Sequence, residues 1–338
     1  MKEAALYEKR DDNKVKCHLC NHRCSIKPGK RGICGVRENV DGTLNTLVYA
    51  RTIARNVDPI EKKPLFHFLP GTLSYSIATV GCNFKCRFCQ NADIAQMPAD
   101  QNGKIWGQDF PPEQVVADAA ARDCASIAYT YTEPTIYFEY AYDCAVLARE
   151  RGIKNVFVTN GYMTPEAIER IQPYLDAANV DLKAMNDRLY KELCQAKREA
   201  VMESLKLLRQ AGVMVEVTTL IVPGWNDDPE ELKQLAGFLA ESLGPDTPWH
   251  VSRFHPTYRL MDAPATPVAT LLEAYKVGRE AGLQYVYAGN IPGQGGEDTI
   301  CPGCGETVIM RHGFSVRKNN LDKGKCGSCG ESIHGVWE

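Results

Sequence analysis

Three cysteines in the middle of the chain are spaced to hold one metal centre together. Cys82, Cys86 and Cys89 stand in the run CNFKCRFC, directly after an apolar strand-like run and Gly81. Three thiolates at these spacings can converge on one face of a loop, and a [4Fe–4S] cube held by three cysteines keeps one iron open. A substrate or cofactor binds at such an open position, as at a catalytic zinc ion. A zinc site with a distant fourth ligand, or three unrelated thiols, are the alternatives.

Most of the other cysteines are also grouped. Of the 14 in the chain, 11 fall in three tight groups, and Cys124, Cys144 and Cys194 stand alone. In a reducing cytosol, clustered cysteines indicate metal sites more often than disulfides. We expect the three isolated cysteines to be small buried hydrophobic residues.

The C-terminal group consists of two knuckles, Cys301-Pro-Gly-Cys304 and Cys326-Gly-Ser-Cys329. This pattern is typical of a rubredoxin-like or zinc-ribbon tetrathiolate site. So short a tail cannot build a stable core alone, whereas structural zinc can contribute about 10–16 kcal/mol. We expect Zn²⁺ here. A redox-active iron that relays electrons to the central cysteines is the alternative, and the spacing does not distinguish the two.

The N-terminal group has a less standard spacing. Its members are Cys17, Cys20, Cys24 and Cys34. Four thiols so close in sequence predict another tetrathiolate site, filled by zinc or by an iron–sulfur cluster. The short, loop-rich segment favours zinc. His18 and His22 could substitute as ligands but are expected to be exposed loop residues.

Between residues 73 and 290, short apolar runs alternate with helical stretches. The strand-like runs are Tyr75–Val80, Ser126–Tyr131, Asn155–Thr159, Ala178–Leu182, Val213–Val222 and His250–Phe254. The helical stretches are Pro112–Arg122, Ile136–Arg151, Pro165–Tyr174, Arg198–Ala211, Pro229–Ser242 and Thr270–Ala281. This alternation predicts an α/β fold with a parallel sheet. Six units, or seven if Gln284–Ala288 counts, suit a partial (β/α)6 TIM-like barrel better than a doubly wound sheet.

Composition divides the chain into three parts. Residues 1–70 are predicted to form a Cys-rich extension, residues 71–295 the barrel, and residues 296–338 a tetracysteine metal module. In a βα barrel, chemistry gathers where strands end and loops begin.

The bulk composition is that of an ordinary globular protein, 44% hydrophobic and 24% charged. Against 39 basic residues stand 42 acidic ones, so wholesale electrostatic binding to nucleic acid is not indicated. No apolar run is long enough to span a membrane, and the charged N-terminus lacks the apolar region of a secretory signal. We expect a cytoplasmic protein.

The run CNFKCRFC, with Phe88 before its last cysteine, resembles the C-x3-C-x-φ-C signature of the radical S-adenosylmethionine (SAM) superfamily. The resemblance implies that the open iron chelates the amino and carboxylate groups of SAM. One electron, from a low-potential donor such as a flavodoxin or ferredoxin, then cleaves SAM to methionine and a 5′-deoxyadenosyl radical, which abstracts hydrogen from a substrate. The protein supplies placement and exclusion of water.

Two further strand ends resemble the SAM pocket of this superfamily, in particular that of activating enzymes of the pyruvate formate-lyase type. Tyr131-Thr132-Glu133-Pro134 stands where the family has a Gly-Gly-Glu-like motif, so Glu133 is a candidate partner for the SAM ammonium. The alternative is a carboxylate that caps the next helix. Thr159-Asn160-Gly161 resembles the family's T-N-G, where Asn160 orients the cofactor or sits in a left-handed turn. Val158 replaces the acidic residue that often precedes this motif, which removes support for a cation site there.

The next strand ends continue the likeness. Strand alternation puts Asp181 and Lys183 on the same side of the chain. The run Asp181-Leu182-Lys183 matches the activases' D-L-K, in which both charged residues point into the SAM pocket; a structural ion pair between them is the alternative. Residues 222–228, VPGWNDD, match a family loop, and His255 follows the sixth strand, where the family has a histidine near the SAM ribose. We predict catalytic roles for Lys183 and His255 as well as cofactor binding.

Both outer cysteine segments and the string DPIEKKPLFHFLPG resemble the AmmeMemoRadiSam system radical SAM enzymes over nearly the whole chain. This resemblance does not imply a substrate. Activation of a partner protein through a backbone glycine is the first reaction to consider, and a small molecule or another protein residue is the alternative substrate. An electron-transfer or metal-binding scaffold without radical chemistry is the non-enzymatic alternative, but a carrier needs no cofactor pocket.

Overall fold

One eight-stranded sheet organises the computed structural model, which describes residues 1–289 and 296–338. Its strands, in spatial order from one edge, are β1 (Ala54–Pro59), β2 (Leu73–Ala78), β3 (Ser126–Tyr129), β4 (Lys154–Thr159), β5 (Ala177–Asp181), β6 (Met214–Ile221), β7 (Trp249–Arg253) and β8 (Val286–Gly289). Only β1 pairs antiparallel with its neighbour among these described strands. The parallel run in chain order confirms the predicted barrel, and β8 provides the seventh βα strand.

One long helix lies in each crossover between parallel strands, and the short helices Ala92–Ala95, Met97–Asp100 and Asp187–Leu189 lie in two of the same crossovers. The long helices are α1 (Pro112–Ala121), α2 (Phe138–Glu150), α3 (Pro165–Ile171), α4 (Arg198–Gln210), α5 (Pro229–Phe238) and α6 (Val268–Glu280). Thr164 and Asp228 cap the amino ends of α3 and α5 by accepting backbone N–H bonds, and a proline follows each cap. The sequence therefore marks helix starts with caps and prolines, and the predicted helices are confirmed.

Short additional turns extend several of these elements. Turns of 3₁₀-helix precede α2 at Pro134–Tyr137 and follow α3 at Gln172–Tyr174. Helix α5 continues as π-helix over Leu239–Leu243, and a second π-helical segment spans Tyr190–Cys194. No helix in the described ranges is long and apolar enough to cross a membrane.

The N-terminal extension is built from small antiparallel sheets. They pair Lys2–Glu3 and Arg37–Val40 with Thr43–Thr46, Tyr7–Lys9 and Ser25–Ile26 with Val15–Cys17, and Arg51–Thr52 with Gln108–Asp109. Strands this short leave little periodicity in the sequence. The boundary predicted at residue 70 does not follow the sheets, because β1 of the extension is hydrogen-bonded along its length to β2 of the barrel.

The C-terminal module is also β-structured. Its strands are Thr299–Ile300, Thr307–His312, Ser315–Asn319, Leu321–Asp322 and Lys325–Cys326. Its apolar residues share one cluster with Phe66, Tyr285 and Tyr287 of the body, and Arg311 donates to the Phe66 carbonyl at 2.7 Å. The module thus packs on the barrel. Its predicted start adjoins residues 290–295, which lie outside the described residues.

Candidate active site

The three central cysteines lie on a loop that leaves the carboxyl end of β2. Cys86 is buried, whereas Cys82 and Cys89 are half-buried. The backbone N–H groups of Lys85 and Arg87 donate to the carbonyls of the π-helical segment 190–194, each at 2.9 Å. Gly81 starts the loop with a φ of +102°, and a Cβ there would lie 2.6 Å from a Val36 methyl. Only glycine fits this close approach, so the loop is held in one path.

Burial sets the protonation of these thiols. The pKa of Cys82 lies well above its usual value because of burial and the neighbouring Glu133, and burial raises the pKa of Cys89 to about 11. The pKa of Cys86 is instead lowered, because Cys194 hydrogen-bonds to it and the Lys183 ammonium is close. Buried thiols of this kind need a cationic partner to ionise, and a metal centre supplies one.

The separation of the thiols indicates the size of that partner. A single tetrahedral zinc ion, with Zn–S bonds near 2.3 Å, draws its sulfurs to about 3.8 Å from one another. Across residues 1–289 and 296–338, the C-terminal quartet is the one group of three or more Cys, His, Asp or Glu ligand atoms within 4.8 Å of one another. The central three thiols are thus more widely spaced than one ion requires. They fit a polynuclear cluster.

Glu133 joins the ends of two strands beside Cys82. Its Oε1 accepts from Thr135 N at 3.0 Å and Thr159 Oγ1 at 2.7 Å, and its Oε2 accepts from Asn160 N at 2.7 Å. The side chain is buried, with 2% of the residue exposed, and burial raises its pKa. The carboxylate therefore caps the turn Pro134–Tyr137, which was the alternative interpretation. Its contact with the SAM ammonium stays a prediction.

Asn160 reaches across to the cysteine loop. Its Nδ2 donates to Asn83 Oδ1 at 2.7 Å, and its Oδ1 accepts from Tyr162 N at 3.1 Å. The left-handed residue of the T-N-G turn is Gly161, with a φ of +68°, so the turn alternative does not apply to Asn160. Asn160 instead positions the residue that follows Cys82.

Asp181 and Lys183 lie on the same side of the chain, as predicted. Lys183 Nζ pairs with Asp181 Oδ2 at 2.8 Å. It also lies 5.6 Å from the ring centroid of Phe88, the residue that precedes Cys89. Burial lowers the pKa of Lys183, but Asp181, Cys86 and Cys194 together raise it well above its ordinary value. The ion pair weighed as an alternative is present, and it holds a permanent positive charge beside the cysteines.

The VPGWNDD loop supports that lysine. Asn226 Nδ2 donates to the Lys183 carbonyl at 2.7 Å, while Asn226 Oδ1 accepts from Val222 N at 2.6 Å. Asp227 Oδ1 accepts from Gly224 N at 2.7 Å. These bonds connect the loop after β6 to the segment after β5. The VPGWNDD motif therefore holds the backbone of Lys183 in position.

His255 lies just beyond β7 and is exposed. Within the part of the chain that the structure describes, its side chain makes no hydrogen bond or ion pair. Its proximity to the SAM ribose stays a prediction.

Sequence reasoning did not identify two residues that shape the site. Cys194 is buried, as expected of an isolated cysteine, but it also hydrogen-bonds to Cys86. Asn83 receives the Asn160 bond and has a buried Nδ2 without a partner. The x positions of C-x3-C carry no pattern of their own, and no motif marks Cys194, so no sequence signal pointed to either residue.

Tyr131 explains the departure from the family's glycine motif. Its φ is +61°, a left-handed conformation that glycine adopts most readily. Its hydroxyl donates to Asp58, and its carbonyl accepts from Asn91 Nδ2 at 2.7 Å. Asp58 also pairs with buried Lys63 at 2.6 Å. The DPIEKKP string thus supplies the contacts that hold a tyrosine where the family has glycine.

The C-terminal quartet has the geometry of a single-ion site. The Sγ atoms of Cys301 and Cys329 are 3.6 Å apart, and those of Cys304 and Cys326 are 3.7 Å apart. Backbone N–H donors lower the pKa of Cys326 to about 6. This arrangement matches the tetrathiolate site predicted for one metal ion.

The N-terminal quartet lines one pocket together with Arg37 and His22. Burial and neighbouring cysteines raise the pKa of Cys20, and burial raises that of Cys34 to about 11. The expectation that His18 and His22 are exposed is wrong, because both are half-buried and hydrogen-bonded. His22 Nε2 donates to the Asn83 carbonyl at 2.8 Å.

A cysteine loop and charged strand ends at one mouth of a partial βα barrel define a class of cluster-dependent enzymes. Residues 76–236 match the family model of the radical SAM superfamily. The chain belongs to this superfamily, whose members use SAM and a [4Fe–4S] cluster. It is 48% identical over 335 residues to an uncharacterized protein of Methanocaldococcus jannaschii, covering 98% of this chain and 99% of the relative.

More distant similarity connects the chain with enzymes of known activity. It is 25% identical over 165 residues to the pyruvate formate-lyase 1-activating enzyme of Escherichia coli, covering 48% of this chain and 66% of that enzyme. Among solved structures, Streptococcus suis SuiB bound to S-adenosylmethionine superposes with a TM-score of 0.51 at 16% identity, covering 68% of this chain and 52% of SuiB. A radical SAM methyltransferase from Sphaerobacter thermophilus superposes with a TM-score of 0.51 at 18% identity, covering 70% of this chain and 71% of the methyltransferase. These two superpositions support the fold.

Proposed function

We propose that this protein reductively cleaves SAM at a [4Fe–4S] cluster held by Cys82, Cys86 and Cys89. The observation that carries the proposal is the position of these thiols, on a fixed loop at the carboxyl end of β2. When held by these three cysteines, a cluster would supply the one-electron reduction that splits SAM into methionine and a 5′-deoxyadenosyl radical. The wide separation of the thiols supports this assignment, and a cluster with three cysteine ligands would leave one iron open for SAM.

The surrounding residues have separate roles in the proposal. Lys183 offsets the negative charge of the thiolates and binds the SAM carboxylate, with Asp181 fixing its ammonium. Glu133 accepts from the SAM ammonium in addition to its backbone donors, and Asn160 keeps the cysteine loop in place. His255, exposed beyond β7, approaches the ribose from the open side.

The substrate belongs to the same proposal. Similarity to the E. coli activating enzyme favours a partner protein from which a hydrogen is removed. We propose a low-potential flavodoxin or ferredoxin as the electron donor. Similarity of both outer cysteine segments to AmmeMemoRadiSam system enzymes supports membership of that group as part of the proposal. A small molecule or a different protein residue is the competing substrate.

Anaerobic incubation with SAM and a strong reductant tests the proposal. The expected products are 5′-deoxyadenosine and methionine in equal amounts. Cys89→Ala should abolish both, whereas Cys144→Ala, a buried cysteine in α2, should leave them unchanged. A protein with a full cluster that forms no 5′-deoxyadenosine would be a carrier and not an enzyme.

A further inference from the structure

We propose that Cys17, Cys20, Cys24 and Cys34 hold a second iron–sulfur cluster, which relays electrons to the central site. All four side chains line one pocket of the N-terminal extension. Four cysteines are the usual ligand set of both [2Fe–2S] and [4Fe–4S] clusters. The cluster itself does not depend on the proposed function, whereas its role as a relay does.

The spacing of the four thiols distinguishes a cluster from zinc. In this chain the C-terminal quartet shows what a single-ion site looks like, with sulfur pairs 3.6 and 3.7 Å apart. Within the described ranges, no three ligand atoms of the N-terminal quartet lie within 4.8 Å of one another. This spacing is wider than the single-ion geometry of the C-terminal quartet, as is the spacing of the central three cysteines, and it favours a polynuclear centre over one ion.

Arg37 supplies an independent reason to expect an anionic group in this pocket. It lines the pocket and is only 1% exposed. Its Nη2 donates to the Ala5 carbonyl and to Glu139 Oε1, each at 2.7 Å, but its Nε and Nη1 are buried without a partner. Buried donors of a charged group are costly unless an acceptor is present. The sulfides and thiolates of a cluster are acceptors with negative charge.

A short connection leads from this pocket to the central cysteines. His22 lies two residues after Cys20, and its Nε2 donates to the Asn83 carbonyl at 2.8 Å. Asn83 directly follows Cys82 and is held by Asn160. One electron from a low-potential protein donor would reduce the N-terminal cluster, and the same electron would then pass to the central cluster, which returns the first to its oxidised state.

The test begins with Cys82→Ala/Cys86→Ala/Cys89→Ala, a variant that lacks the central site. After anaerobic reconstitution with iron and sulfide, we expect it to retain sulfide with at least an equal amount of iron, since the intact C-terminal quartet can add one iron ion without sulfide. Reduction should give an electron paramagnetic resonance (EPR) signal that SAM does not alter, since no iron is open. Zinc in the quartet, iron without sulfide, or no metal would overturn the proposal.

Two further variants, each made in the protein without the central cysteines, assign the cluster to the N-terminal pocket. Adding Cys24→Ala/Cys34→Ala should remove the sulfide and the EPR signal. Adding Cys304→Ala/Cys329→Ala should leave the sulfide and the EPR signal in place. If the variant with Cys24→Ala/Cys34→Ala misfolds, the metal and sulfide content of Cys82→Ala/Cys86→Ala/Cys89→Ala alone still decides for or against a cluster. Sulfide that follows the C-terminal cysteines instead would overturn the proposal.

The relay is measured separately in the otherwise unaltered chain. SAM cleavage driven by a reduced flavodoxin should be lost in Cys24→Ala/Cys34→Ala and kept in Cys304→Ala/Cys329→Ala. An unchanged rate in the first variant would overturn the relay. Lack of cleavage in the unaltered chain would contradict the proposed function, while the metal analysis would still decide on the cluster.

Discussion

The backbone N–H of Asn160 donates to Glu133 Oε2 at 2.7 Å, and this bond ties the ends of β3 and β4 together beside the cysteine loop. The side chain of Asn160 continues the connection to Asn83 at 2.7 Å. A carboxylate, a strand end and the cysteine loop therefore form one hydrogen-bonded unit. Any change at Glu133 acts on the backbone as well as on a ligand.

Glu133→Gln should weaken SAM binding and also reduce stability. Both oxygens of Glu133 accept hydrogen bonds, so the NH₂ group of a glutamine would face an N–H or O–H donor in place of an acceptor. Leaving such buried donors unpaired lowers the stability of the fold by about 1–3 kcal/mol. Loss of the charge should lower the affinity for SAM by a comparable amount. Calorimetric titration and thermal unfolding measure the two effects.

Thr135→Val is the matched control for that experiment. It removes the Thr135 hydroxyl that donates to Glu133 at 2.5 Å but keeps the carboxylate. Stability should fall while SAM affinity holds. If Glu133→Gln also binds SAM with unaltered affinity, the carboxylate is a cap alone.

Cys194→Ala should lower the reduction potential of the central cluster. A hydrogen bond to a ligand sulfur stabilises the more negative reduced state, and Cys194 hydrogen-bonds to Cys86. A redox titration followed by EPR reports the midpoint. Cys144→Ala removes an equally buried thiol in α2 and should leave the potential where it was; an identical shift in both variants would exclude the proposed hydrogen bond as the cause.

Cys326→Ser should loosen the C-terminal module and leave SAM binding intact. The quartet is spaced for one ion, and the apolar cluster around Cys301 and Cys326 is small. Limited proteolysis should cut the module faster in this variant than in the control Ser328→Ala. Metal analysis of the unaltered chain then separates zinc from iron, and resistance of Cys326→Ser to proteolysis would speak against a structural metal.

Acid should weaken the junction between the barrel and the C-terminal module. Burial lowers the pKa of His67 to about 4 from an ordinary 6.5, and its ring lies 2.6 Å from both the His334 carbonyl and the Tyr287 hydroxyl. The unfolded chain binds a proton below about pH 6.5, but the folded chain binds it only near pH 4. The contribution of neutral His67 to the free energy of unfolding is therefore fully present above pH 6.5. It decreases by about 3 kcal/mol as the pH falls to 4.

Thermal unfolding between pH 7 and pH 5 measures this effect. His67→Gln should reduce the dependence on pH but not remove it, because burial also lowers the pKa of His334. Glu216, whose pKa is lowered and which accepts from the His67 backbone, titrates below this window. A slope that is the same with and without His67 would contradict the assignment.

The sequence predicted the barrel because short apolar strands that alternate with helical stretches leave a local pattern. It also predicted that Asp181 and Lys183 share a side, which follows from strand alternation. It did not predict that β1 joins the main sheet, since pairing between distant segments leaves no local pattern. The half-buried state of His22 and the contact of Cys194 with Cys86 likewise depend on chain segments far apart in sequence.

The EPR spectrum of the reduced protein, recorded without and with SAM, tests the central claim most directly. If three cysteines hold a cluster with one open iron, SAM should change the signal in the unaltered chain. The change should be absent from Cys82→Ala/Cys86→Ala/Cys89→Ala and present in Cys304→Ala/Cys329→Ala. A signal from the unaltered chain that saturating SAM leaves the same would contradict the account.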